Sequence, residues 1–405
     1  MPSGSRHQVA VTGYGAVTAL GHDSTTMWDA LLEGHSARAP VRAIPLEGCR
    51  VTEGAEAILP HLPCFSKKQI SRLSRSSRLI LPAVAEAMMQ AGLLDEEGRS
   101  TLNRLEMCVS TTAGGMEKGE EFLRRVWRAE TRGNTALLAR YQAQHQIAEI
   151  QTNYGFRGPA MIIANACAGG ANAIGHAADL IRSGMTDIVL AGGYDALCEL
   201  VYAGFDSLQS LAPEACRPFD RGRNGLMLGE GSAFLILESQ ERARLRGAQV
   251  HALITGYGHT TDCLHLTQPD QEGVPLENAM HQALNMAGLS AHEIGYVNAH
   301  GTGTPFNDGA EARAFERVFR GHSTRLSSTK AALGHTLGAA GAIEAVISLL
   351  ALKSGSLPPQ INVIDPEPLV ADALVGPQES KKIGHVMSVN LGFGGSNAAL
   401  ILSKS

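Results

Sequence analysis

Three residues of this 405-residue chain have neighbours of the kind that chemistry requires. Cys167 lies in IIANACAGGANAIGHAADLIRSG, between an apolar run and a small-residue segment. Ala171, Ile174, Ala178 and Ile181 follow three- and four-residue spacing, which predicts a helix from about 168 to 183 with one apolar face. Arg182 falls in its last turn and Gly184 can serve as its cap. Cys167 then stands at the helix start, where unpaired N–H groups and the helix dipole favour a thiolate. The glycines that follow let a substrate approach the backbone. A buried, inert cysteine accounts for the same stretch equally well, because free cysteine is among the most buried residue types.

A nucleophilic cysteine needs a base or an electrostatic partner. VNAHGTGTP puts His300 at the end of a strand, ahead of a Gly-Thr turn, and STKAALGHTLGAAGAIEA puts Lys330 and His335 together before a small-residue helix. Either histidine alone reads as structural; two on glycine turns with hydroxyls beside them read as a site. Near the C-terminus, VNLGFGGSNAALIL flanks Phe393 with glycines, so an exposed N–H there can stabilise an oxyanion. Without chemistry it is a hairpin turn with a packed phenylalanine. One cysteine and two histidines can also ligate zinc, but no C-x-x-C or H-x-x-x-H pair supports it, and no metal is expected.

The elements that must position these residues alternate in type. MCVSTTAG, AMIIANA, DIVLAGG, SAFLILE, EIGYVNAHG and VMSVNLGFGG read as buried strands running into glycine-rich turns. HDSTTMWDALLEG, SSRLILPAVAEAMMQAGL, PLENAMHQALNMAGL, DGAEARAFERVF and AAGAIEAVISLLALKSG read as helices, with the segment after Cys167. This is an α/β pattern whose sheets are covered by helices, with functional groups gathered at strand C-terminal ends. VAVTGYG at 9–15 is echoed by ALITGYG at 252–258, each a β-branched run reaching a Thr-Gly-Tyr-Gly turn. A duplicated architecture follows, with halves at 1–250 and 251–405.

Composition narrows the function. A net charge of −5 argues against nucleic acid as the main partner. The 7 cysteines, at 49, 64, 108, 167, 198, 216 and 263, are odd in number and scattered, which predicts no disulfide framework and suits a reducing cytoplasm. The N-terminal MPSGSRHQVAVTGYG is a poor signal peptide, and GAAGAIEAVISLLALKSG is interrupted by Glu344 and falls short of a membrane span, so no membrane association is expected.

Taken together, these motifs resemble the elongating Cys-His-His type of β-ketoacyl-acyl-carrier-protein synthase, in the thiolase superfamily, over essentially the whole chain. VAVTGYGAVTALG resembles the family's first strand, NACAGG its nucleophile motif, NAHGTGTP and STKAALGH its two histidine motifs; RPFDRGRNGLMLGEG and GFGGSN are also family-like. The resemblance implies a thiolase-like fold, two βαβαβαββ halves in a five-layer αβαβα sandwich, and a dimer. It implies that Cys167 takes an acyl chain and that condensation with malonyl-acyl-carrier protein follows with loss of carbon dioxide. His300 and His335 would stabilise the developing charge, and Lys330 with its acidic partner Glu344 would set the field around them. The N–H groups of Cys167 and Phe393 would form the oxyanion hole, and Phe393, flanked by Gly392 and Gly394, would gate the site. Thr302 and Thr304 would hold the phosphopantetheine arm, with Ala113 and Phe205 in the acyl pocket. Lys67, Lys68 and Arg72, with Arg75 beside them, would dock the acidic carrier protein. No dissociable cofactor is implied, and the partner subunit would be a second copy or a chain-length-factor-like chain.

The chain departs from the family pattern in three places. Leu391 and Leu226 stand where many relatives carry phenylalanine, and Ala113 where fatty-acid enzymes often have a larger aliphatic residue. These differences favour a polyketide or polyene pathway as much as bulk fatty-acid synthesis. The rivals are a non-catalytic chain-length-factor-like subunit, which Cys167, His300 and His335 together oppose; a thiolase acting on coenzyme A, which would carry a second cysteine near GFGGSN; and an initiating Cys-His-Asn synthase, which His335 opposes.

Overall fold

The structure is a computed structural model that describes residues 7–60, 67–128 and 135–405. The N-terminal MPSGSR, Cys64 and the first residues of FSKKQISRLSR fall outside the described residues. Ten strands form the frame: β1 (Val9–Val17), β2 (Glu106–Ser110), β3 (Ala160–Ile163), β4 (Ile188–Asp195), β5 (Gly231–Ser239), β6 (Ala252–Thr261), β7 (Ile294–Asn298), β8 (Arg325–Ser327), β9 (His385–Gly392) and β10 (Ser396–Ser403). Their order is β3-β2-β4-β5-β1-β6-β10-β9-β7-β8.

This order is a reflection about the β1–β6 seam. In each half two ladders are parallel and two antiparallel: β5 runs against β1 and β4, as β10 runs against β6 and β9. β2 pairs in parallel with β3 and β4, as β7 does with β8 and β9. Across the seam only Val9–Ile254, Ala10–Leu253 and Val11–Ala252 pair, so the sheet is nearly two sheets.

The helices include α1 (Arg75–Gln90), α2 (Met116–Trp127), α3 (Gly169–Arg182), α4 (Val274–Ala287), α5 (Pro305–Phe319) and α6 (Ala340–Ser354). Helix α1 covers β1 and β5 from outside, and α4 covers β6 and β10. Helices α3 and α6 pack on each other and touch strands of both halves, so they form the middle layer of a five-layer αβαβα sandwich. The apolar segment Leu337–Ser354 is that middle layer, almost wholly buried in protein.

The echoed Thr-Gly-Tyr-Gly segments are not turns, as the sequence had suggested, but strand interiors. In β1 the ladder slips between Val11 and Gly13, and in β6 the same slip falls between Ile254 and Gly256, so Thr12 and Thr255 are matching bulges. The glycines are there because helices press on them. A methyl group on Gly13 would lie 2.1 Å from the Ala87 carbonyl oxygen, and one on Gly258 2.0 Å from that of Ala279. Helix and strand can approach this closely only where the strand has no Cβ.

The helices α2, Thr135–Tyr141, Ala143–Tyr154 and Glu199–Ser207 were not signalled by the sequence pattern. Helix α2 has no fully buried side chain, and Leu123, Val126 and Trp127 stand exposed on it.

Candidate active site

The site gathers where the C-terminal ends of the central strands meet the starts of α3 and α6. Ala166 has φ 56°, a left-handed value that a side chain adopts only under constraint, and it turns the chain sharply from β3 into α3. Cys167 sits on this elbow within a short 3-10 turn, and the helix itself runs Gly169–Arg182, close to the predicted span. Its thiol lies 2.9 Å from Nε2 of His335. The rings of His335 and His300 meet edge to face with centroids 5.3 Å apart. The three residues expected to react are therefore together, and all three are buried.

Burial sets their charge. It pushes the Cys167 thiol up to about 11, with a smaller push from the Asp195 charge, against the pull of Lys330 and of hydrogen bonds from the N–H groups of Phe393 and Cys167 itself. The helix start alone had suggested a ready thiolate, but desolvation outweighs it. Burial, then Lys330, holds His335 well below its ordinary value, and the same causes with His335 added hold His300 down. Both imidazoles are neutral at physiological pH, so His335 can accept the thiol proton.

Lys330 fixes His300. Its Nζ lies 3.1 Å from His300 Nδ1 and 2.6 Å from the His300 carbonyl oxygen, and it also donates to Glu344. An ammonium group can only donate, so Nδ1 is the acceptor and the ring proton is on Nε2. Asn390 donates to the other oxygen of Glu344. Glu344 thus pairs with Lys330, as the resemblance had implied.

A cavity of about 320 Å³ opens in front of Cys167. His300, His335, Thr302, Thr304, Phe205, Gly392 and Phe393 line it, as do Leu226 and Leu391. The Thr302 and Thr304 hydroxyls lie 2.8 Å apart. Phe393 is 37% exposed and its ring stacks on Phe205 with centroids 5.5 Å apart, at the tip of the β9–β10 hairpin. The hairpin reading and the chemical reading of GFGGSN hold together. Gly394 does not line the cavity; its N–H donates to the Leu266 carbonyl oxygen at 2.7 Å, tying the tip to a neighbouring loop.

Other expected residues lie elsewhere. Ala113 is buried on the turn after β2 and does not line that cavity; its N–H donates to Asp195. Lys68 and Arg72 are exposed, whereas the Lys67 side chain is outside the described residues. Arg75 is not available for docking, because its guanidinium forks onto the buried carboxylate of Glu230.

Sequence reading missed two buried carboxylates on α5. Glu311 accepts the N–H groups of His300 at 2.8 Å and Gly301 at 2.6 Å, and Asp308 accepts those of Gly303 and Phe219. Burial, and then Asp308, pushes Glu311 up to about 8. The available signal was DGAE itself, two acids three apart on a helix face that is otherwise apolar.

The Sγ and imidazole nitrogens of Cys167, His300 and His335 all lie within 4.8 Å of one another, close enough to hold a soft metal ion. Such an ion would occupy the nucleophile rather than assist it.

Residues 6–243 match the family model described as beta-ketoacyl synthase, N-terminal domain, and residues 251–364 match the beta-ketoacyl synthase, C-terminal domain. Nodulation protein E of Rhizobium meliloti (strain 1021) is 36% identical over 403 residues, covering 98% of this chain and 99% of that protein. The 3-oxoacyl-[acyl-carrier-protein] synthase 2 of Staphylococcus aureus (strain COL) is 33% identical over 412 residues, covering 98% of each. Among solved structures, the ishigamide ketosynthase/chain length factor superposes with a TM-score of 0.90 at 31% identity, over 99% of this chain and all of that one.

Proposed function

The chain belongs to the beta-ketoacyl synthase family, and on that footing we propose how its buried residues divide the work. The reaction is the decarboxylating condensation of an acyl chain with malonyl-acyl-carrier protein, which yields a β-ketoacyl-acyl-carrier protein. The observation that carries our assignment is the 2.9 Å approach of Cys167 Sγ to His335 Nε2 at a strained elbow.

Cys167 attacks the incoming thioester as its proton passes to the neutral imidazole of His335, and the departing pantetheine thiol takes a proton in turn. Malonyl-carrier protein then enters the same cavity. The Nε2–H of His300, fixed by Lys330, and His335, whose unpartnered Nδ1 lets the ring carry its proton on Nε2 at this stage, hold the malonyl thioester oxygen while the carboxylate leaves as carbon dioxide. The resulting enolate attacks the acyl-cysteine, the carbon–sulfur bond breaks as the intermediate collapses, and the freed Cys167 thiolate takes up one proton from solvent by way of His335. The N–H groups of Phe393 and Cys167, which already point at the sulfur, take the oxyanion of that step. The malonyl carboxylate supplies the electron pair for the new carbon–carbon bond, so the reaction calls for no redox cofactor or metal.

Thr302 and Thr304 face the phosphopantetheine arm, and Phe393 on Phe205 is its gate. Exposed Lys68 and Arg72, with Lys67, offer the positive surface for an acidic carrier protein. The pathway is a specialised acyl, polyketide or polyene chain rather than bulk fatty acid. Leu226 and Leu391, smaller than the phenylalanines of many relatives, both line the cavity and support that reading.

Intact-mass analysis after incubation with acyl-carrier proteins of graded length tests both claims. Wild type should gain one acyl group and Cys167→Ala none; normal condensation by Cys167→Ala would overturn the assignment. Exclusive acceptance of short saturated chains would overturn the pathway reading.

A further inference from the structure

The molecule contains a second elbow that carries no nucleophile. Leu337, with φ 54°, repeats Ala166, and each is followed by a 3-10 turn and a middle-layer helix. The ladders fix the correspondence. Leu190 faces Ile236 as Met387 faces Ile401, which places Asp195 where the other half has Gly392. Across the middle layer, a methyl on Gly170 would meet the Ala342 nitrogen and one on Gly341 the Ala171 nitrogen, so α3 and α6 are related by the same two-fold. By this symmetry the mate of Cys167 is Gly338.

The two elbows differ in what their N–H groups meet. In the active half the N–H of Cys167 points into the reacting cavity. In the blind half the N–H of Gly338 donates to Asp195 Oδ2 at 2.7 Å. The same carboxylate accepts the Thr111 hydroxyl at 2.7 Å, the Ala113 N–H at 2.8 Å and the Thr112 N–H at 2.9 Å. Asp195 is wholly buried and no cation pairs with it among the described residues. Burial pushes its carboxyl up to about 6, against the pull of these donors, so it is an anion at neutral pH held by N–H and O–H groups alone.

Three residues before Gly338 is His335. Its backbone is held on one side, where its N–H donates to the Met227 carbonyl oxygen and its own carbonyl accepts from Gly229. Its Nδ1 is buried and makes no hydrogen bond among the described residues, so no partner on the side away from Cys167 orients the ring. The direction of Nε2 toward Cys167 therefore depends on the backbone from 335 to 338, which is strained at Leu337 and anchored at its far end by Asp195.

We infer that Asp195 is a positioning residue for His335: by binding the Gly338 N–H in the blind elbow, it fixes the turn that aims His335 at Cys167. The inference rests on the pairing of Cys167 with His335 proposed above. An acid that occupies the inactive half of the duplication thus sets the geometry of the active half.

The test is the rate of Cys167 alkylation by iodoacetamide, read by intact mass, in wild type, Asp195→Asn, His335→Ala, His300→Ala and the two double variants that contain Asp195→Asn. The amide puts an NH2 group where one carboxylate oxygen accepted, so misplacing His335 should slow alkylation on the order of tenfold or more. In the His335→Ala background the same change should add less than about twofold, while in His300→Ala its full effect should persist. An equal cost in every background, or none in wild type, overturns the inference. Thr111→Val, which removes one donor to Asp195, should show the same background dependence at smaller size and serves if Asp195→Asn does not fold. If His335→Ala itself alkylates at the wild-type rate, the failure lies in the Cys167–His335 pairing instead.

Discussion

At the scale of the residue, the site is a case of burial overruling local helix electrostatics. Cys167 stands at a helix start, yet desolvation keeps it a thiol, and His335, kept neutral by the same burial, supplies the missing base. In His335→Ala, where no imidazole takes the proton, a thiol near 11 exposes more thiolate with every step in pH, so iodoacetamide alkylation should climb by roughly tenfold per pH unit from about pH 7, with no plateau below about pH 10. A plateau near neutrality would mean that the helix start and Lys330 dominate. Cys167, His300, Lys330 and His335 were legible from sequence because each sits in a short glycine-rich motif at a strand end. Asp195 was not, because the Thr111 hydroxyl and the N–H groups of Thr112, Ala113 and Gly338 that it accepts lie far away in the chain, and Asp308 and Glu311 were not, because only the folded 300–303 loop turns its N–H groups back onto them.

At the scale of the element, periodicity located the strands and the core helices, since each buries one continuous face. It failed on α2 and on Glu199–Ser207, whose apolar residues, Tyr202 apart, stay partly exposed and so lack a buried stripe to betray them. The Thr-Gly-Tyr-Gly echo was correctly heard as duplication and wrongly heard as a turn. Glycine there answers to a helix pressed against the strand. Gly258→Val should therefore cost on the order of 3 kcal/mol or more, because the side chain would drive into the Ala279 carbonyl. Gly204→Ala, in an exposed helix with nothing within 4 Å of the new methyl, should stabilise by about 0.5–1 kcal/mol. Urea denaturation of the two variants decides both. If Gly258→Val unfolds at the wild-type midpoint, the close approach of α4 to β6 is not what holds that glycine in place.

At the scale of the whole molecule, β3 ends the sheet with an edge that no strand pairs among the described residues, and Met161 on it is 47% exposed. An edge of this kind invites a second strand. The similar ishigamide structure is named as a ketosynthase/chain length factor, a pairing of two chains, and where the partner is a second copy a two-fold would bring identical residues together across that edge. Met161→Glu should set like charges against one another and shift the protein to monomer in sedimentation velocity, with its near-ultraviolet dichroism unchanged. An undiminished dimer would place the interface elsewhere. The reflected strand order also speaks of descent. A chain of half this length, associated with a copy of itself through the β1–β6 seam and the middle helices, would have possessed two equal elbows and two equal clefts. Once both copies were fused in one gene, only one cleft had to remain open to substrate. The other could become mortar: glycine where a nucleophile would stand, and a carboxylate filling the space that an acyl oxygen would enter.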